Sequence, residues 1–160
     1  MAGNNLIYSL KQDNRSDVLD FLSSELATVL KNNIDLADKG KYVLTNVPRR
    51  RASILNYGYD HSADLARSVS KKLGVKYVSV LKSKAKSAQK KLKGHERVLN
   101  ADFDYKSRAG SFEKGTIVIL IDDIVTSGAS MSACATLLKG LGAKEVIAAS
   151  IASVYNDWYI

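Results

Sequence analysis

A chain of 160 residues that is 46% hydrophobic and 25% charged is long enough for one domain with a substantial core, and its composition excludes a disordered, fibrous or low-complexity protein. No stretch approaches the roughly 20 apolar residues of a membrane span. The start Met1-Ala2-Gly3-Asn4-Asn5 lacks a signal peptide's basic and apolar regions, so the cytoplasm is the expected location. The net charge of +8 favours anionic partners, nucleic acid among them, and the single cysteine, Cys134, excludes an intrachain disulfide.

In chain order, Asp13 or Asn14 can cap a helix in which Val18, Leu19, Leu22, Leu26, Val29 and Leu30 recur at helical spacing. Tyr42 to Val47 reads as the first core strand, ended by Pro48 and followed at once by Arg49, Arg50 and Arg51. From Asp60 or Ser62 a second helix carries Leu65, Ala66, Val69 and Leu73 inward and stops at Gly74. His61 opens that helix and is read as a capping or surface residue. Val75 to Leu81 is the second strand.

After it, about thirty-five residues without strong periodicity reach Gly115, and so long an irregular connection in a small domain is usually functional or mobile. Lys82, Lys84, Lys86, Lys90, Lys91 and Lys93 lie there, with His95 and Arg97 just beyond. A third strand begins near Ile117. The helix that follows has Cys134, Leu137, Leu138 and Leu141 on one face and closes at Gly142, and burial of Cys134 there makes it an inert thiol. Val146 to Val154 is a fourth strand, and Tyr155, Trp158 and Tyr159 end the chain as packing aromatics. Alternating strands and helices predict an α/β fold, a doubly wound parallel sheet with right-handed crossovers, in a single domain over residues 1–160.

The densest chemical signal is the run Ile117-Val118-Ile119-Leu120-Ile121-Asp122-Asp123-Ile124-Val125-Thr126-Ser127-Gly128-Ala129-Ser130-Met131. Five apolar residues rich in β-branched types form a strand buried on both faces. Its end delivers Asp122 and Asp123 to the carboxyl edge of the sheet, where open α/β sheets bind ligands. Thr126, Ser127, Gly128, Ala129 and Ser130 then bring hydroxyls and no bulk, so that backbone N–H groups at a helix's positive end can approach a phosphate. Carboxylates suited to vicinal hydroxyls beside a phosphate cradle describe a site for a sugar phosphate.

This run resembles the phosphoribosyl-diphosphate (PRPP) motif of the type I phosphoribosyltransferases. Four further stretches are similar to the ComF-like branch of that family: Tyr8-Ser9-Leu10-Lys11; Val47-Pro48 with its arginines; Gly58-Tyr59-Asp60-His61-Ser62-Ala63-Asp64-Leu65-Ala66; and the spaced Gln89, Leu92, Arg97 and Asn100. Two features depart from it. The chain lacks the cysteine-rich zinc module common in competence proteins of this type, having one cysteine in all, and Tyr57 stands where the family commonly has arginine.

The resemblance implies a type I phosphoribosyltransferase (Rossmann-like) fold with a small or reduced hood, and transfer of a phosphoribosyl group from PRPP, with Mg2+, to a small acceptor such as a nucleobase or amine. Asp122 and Asp123 would hold the ribose hydroxyls, support the cationic ring, and reach the metal directly or through hydroxyls and water. Thr126 to Ser130 would bind the 5-phosphate, and Arg49, Arg50, Lys82, Lys84 and Arg97 the diphosphate. The long basic connection occupies the place of the family's closing loop. Two other functions remain open: a non-catalytic PRPP- or nucleotide-sensing regulator with a basic nucleic-acid-binding surface, and a ComF-like DNA-uptake accessory protein. Nucleic-acid binding by the transferase itself is expected to be weak and non-specific, and a homodimer is compatible with the resemblance.

Overall fold

The computed structural model describes residues 16–49, 54, 59–84 and 103–153. Strands β1 (Tyr42–Asn46), β2 (Lys76–Tyr77), β5 (Ile117–Val125) and β6 (Glu145–Ser153) form a parallel sheet in the order β2-β1-β5-β6. The most apolar strand is central because both its faces must be covered. Val118, Ile119, Leu120 and Ile121 of β5 are fully buried. A second, antiparallel pair joins β3 (Leu81–Ser83) to β4 (Phe103–Tyr105).

Alternation along β5 sends its side chains to two cores. Ile119 and Ile121 meet helices α1 (Ser16–Asn33) and α2 (His61–Leu73) on one face, through Leu22, Leu26, Leu65 and Val69. Val118 and Leu120 meet helix α3 (Ala129–Gly140) on the other, through Met131, Cys134 and Leu138, with Leu81 and Phe103 of the small hairpin. The sheet is thus covered on both sides, as the alternation of elements predicts. Helix α2 begins where the Asp60 carboxylate accepts the Ala63 N–H at 3.1 Å, and it ends at Gly74, whose φ of 67° takes the left-handed cap conformation.

The structure departs from the sequence reading in four places. The stretch read as one strand from Val75 to Leu81 divides into β2 and β3, which belong to different sheets. The connection read as irregular contains β4 on its return, a strand of three residues, too short to show a period. Strand β5 continues through the acidic pair to Val125, because β6 pairs with it as far as Val125 opposite Ser153. His61 is buried, not on the surface, since the first turn of α2 tucks under the ends of β1 and β5, where the Ser62 hydroxyl donates to the Val47 carbonyl at 3.2 Å. The proposed first-helix caps Asp13 and Asn14, the aromatic tail, Tyr57 and His95 lie outside the described residues.

Candidate active site

Strand β5 and the first turn of α3 meet at the carboxyl edge of the sheet. There Asp122 and residues Thr126, Ser127, Gly128, Ala129 and Ser130 line one small pocket of about 50 Å3, with Met131 also on its wall. Gly128 precedes α3 with a φ of 73°, a conformation costly for side chains with a Cβ. No protein atom lies within 4 Å of where a Cβ would stand at Gly128. The need for glycine here is therefore conformational, and not the relief of crowding within the turn. Burial, and then the adjacent Asp123 charge, push the Asp122 carboxyl up to about 7. Cys134 is fully buried on the α3 side, and burial and then the Asp122 charge push its thiol up to about 12.

Continuation of the strand through the acidic pair starts the two side chains from opposite faces, while Asp122 Oδ1 accepts the Asp123 N–H at 2.9 Å and the two carboxyl groups stay in contact. Asp122 follows Val118 and Leu120 to the α3 side; Asp123 follows Ile119 and Ile121 to the other. There one Asp123 oxygen, Oδ1, accepts the Ile124 N–H at 3.0 Å, and Oδ2 accepts from the Arg49 guanidinium at 2.5 Å. Arg49 also lines a separate cleft of about 770 Å3 beside the ends of β1 and β2 and the base of the hairpin. Lys82, Lys84, Lys106, Arg67 and Arg108 line it too, with Asp60 as a lining carboxylate. Lys82 faces Asp104 at 3.9 Å across the hairpin, and Lys106 donates to the Ser79 hydroxyl at 2.7 Å.

A family model described as phosphoribosyl transferase domain matches residues 60–158. The chain belongs to that family. Among solved structures it is similar to an adenine phosphoribosyltransferase at 17% identity, with a TM-score of 0.57 over 88% of this chain and 72% of that one. The adenine phosphoribosyltransferase of Saccharomyces cerevisiae, solved with an imino-altritol bisphosphate and adenine, aligns at 19% identity and a TM-score of 0.54, over 88% and 71% of the two chains. That of Trypanosoma brucei, solved with AMP, pyrophosphate and ribose-5-phosphate, aligns at 18% and 0.56, over 88% and 54%. No curated protein matches the sequence. The fold is that of the type I phosphoribosyltransferases, and the chain is an enzyme of the pentosyltransferase class.

Of the residues expected in this phosphoribosyltransferase domain's site, Asp122 and the turn from Thr126 to Ser130 share one pocket, while Arg49, Lys82 and Lys84 share the other. Arg50 and Arg97 lie outside the described residues, as does most of the connection expected to close. Sequence reasoning missed Arg67, Tyr77, Lys106 and Arg108, all on the cleft wall. Arg67 was within reach: Asp60, Ala63 and Arg67 stand three and then four residues apart, so they share one face of α2. The Arg67 guanidinium lies 5.3 Å from the centre of the Tyr77 ring, and the Tyr77 hydroxyl donates to the Asn46 side-chain oxygen at 2.7 Å. Among the described residues no group of three or more His, Cys, Asp and Glu side chains could hold a metal ion. None of their helices is long and apolar enough to cross a membrane.

Proposed function

We propose that the protein binds PRPP with Mg2+ and transfers its phosphoribosyl group to, or from, a small acceptor such as a nucleobase or amine, as a single domain over residues 1–160. The observation that carries this reading is the pocket shared by the Asp122 carboxylate and the turn Thr126 to Ser130, with Arg49, on the wall of the cationic cleft that also holds Lys82 and Lys84, paired to the adjacent Asp123. The turn's N–H groups and hydroxyls would hold the 5-phosphate, Asp122 and Asp123 the ribose hydroxyls, and the cleft the diphosphate, which Arg50 and Arg97 would join. Adenine and AMP in the related crystal structures support a nucleobase as acceptor. The subtype proposed is the ComF-like branch without its zinc module, acting in the cytoplasm.

In the transfer, the acceptor nitrogen forms its bond to C1 as the bond from C1 to the diphosphate oxygen breaks, the bonding pair leaves with the diphosphate, and the proton released by the acceptor nitrogen passes to water. Positive charge grows on the ribose ring, close to the two carboxylates, and negative charge grows at the cleft. The chain's part is to fix the ring between these poles. Mg2+ would be carried mainly by diphosphate oxygens and water, with Asp122 or Asp123 reached through a hydroxyl or water, and would offset the charge of the leaving group. Incubating isotope-labelled PRPP and Mg2+ with the protein and a panel of nucleobases and amines tests the proposal. Acceptor-dependent label in a nucleotide product is expected. Slow PRPP hydrolysis alone, with every acceptor, would contradict transfer.

A further inference from the structure

We infer that Arg49 couples the two ends of the site: it lies on Asp123 when the site is empty, and an incoming diphosphate draws it off, so that diphosphate and ribose phosphate each strengthen the other's binding. The inference rests on the PRPP reading above and adds to it a defined exchange of partners.

Three observations support the exchange. Of the two Asp123 oxygens, the backbone N–H of Ile124 takes one and Arg49 takes the other. The Asp123 side chain is only 8% exposed and that of Arg49 19%, so loss of this cation from a buried carboxylate is costly unless other donors take its place. Two vicinal ribose hydroxyls can donate to the oxygen that Arg49 vacates. The same guanidinium forms part of the wall of the large cleft, whose other cations suit a diphosphate, and its planar fork binds phosphate oxygens in pairs.

The backbone allows the guanidinium to move while its anchor stays. Val47 N–H donates to the Ile121 carbonyl at 2.9 Å, tying the chain two residues before Arg49 to the chain two residues before Asp123. Pro48 restricts the segment between. The long side chain can therefore swing between carboxylate and cleft without displacing β1 or β5. Asp123 then serves the sugar only when Arg49 serves the diphosphate.

Calorimetric titration of inorganic diphosphate, with and without saturating ribose 5-phosphate and at constant Mg2+ and pH 8, reads the coupling directly. Mutual repulsion of two anions would make each weaken the other. The exchange predicts instead that ribose 5-phosphate tightens diphosphate binding by roughly 5- to 150-fold, the usual span of site coupling, with the same factor in the reverse titration. In Asp123→Asn the factor should fall to one or below, while diphosphate alone binds more tightly because Arg49 is already released. Asp20→Asn, which removes an exposed carboxylate that lines neither pocket, should keep the factor. Should Asp123→Asn not fold, Arg49→Gln should show the same loss of coupling. Independent or antagonistic binding in the wild type would overturn the exchange alone, as would equal loss of coupling in Asp20→Asn. Failure of both ligands to bind would overturn the PRPP reading with it.

Discussion

Asp122 is a carboxyl group held near neutrality beside the phosphate-sized pocket, pushed up to about 7 by burial and then by Asp123. In the unfolded chain it titrates near the ordinary value of 3.8. Between these values the folded protein binds the extra proton, so the group's contribution to stability is full below about pH 4 and is lost as pH rises toward 7. Asp122→Asn should accordingly raise the melting temperature at pH 8 and change it little at pH 4, in scans at both pH values. An equal gain at both would contradict a raised value. Gly128 tests the turn at the same scale. Its φ of 73° is one that asparagine tolerates and valine does not, so Gly128→Val should destabilise by about 1–2 kcal/mol and more than Gly128→Asn, as read by denaturant titration. The acidic pair and the turn were legible in the sequence because their residue types name their chemistry. That the pair still belongs to the strand was not, because it depends on how far β6 keeps pairing with β5.

The long elements announce themselves through period, while the short ones depend on neighbours. Helix α2 was readable from Asp60 to Gly74 because a cap, an apolar stripe and a left-handed glycine all agree. The hairpin of β3 and β4 was not, since three residues a side carry no period; it is held by packing of Leu81 and Phe103 and by the Tyr105 hydroxyl, which donates to the Leu137 carbonyl at 3.1 Å. Helix α3 must sit firmly on β5 for its first turn to face Asp122. Leu138 is fully buried beneath it, and Leu138→Ala should cost about 2–5 kcal/mol in urea unfolding. On the exposed side of α1, Phe21 is 52% accessible, and Phe21→Ser should stay within about 0.5 kcal/mol of the wild type.

Across the whole molecule, the alternation of strands and helices was enough to place a parallel sheet covered on both faces, and that topology puts the acidic strand at its centre. The net charge of +8 pointed to anions without saying which. The fold places Arg49, Arg67, Lys82, Lys84, Lys106 and Arg108 around one cleft, which favours a small polyanion over an extended duplex. Duplex DNA and RNA should therefore bind weakly, without sequence preference, and dissociate steeply as salt rises. Tight, sequence-selective binding at near-physiological salt would instead favour the regulator. The most direct measurement is calorimetric titration of PRPP and Mg2+ into the wild type and into a folded Asp122→Asn/Asp123→Asn variant. Removing two negative charges should help an anion bind on charge alone, so the expected result, saturable binding in the wild type and marked weakening in the variant, can come only from carboxylates that hold the sugar. No binding to the wild type, or equal or tighter binding to the variant, would place the sugar phosphate elsewhere.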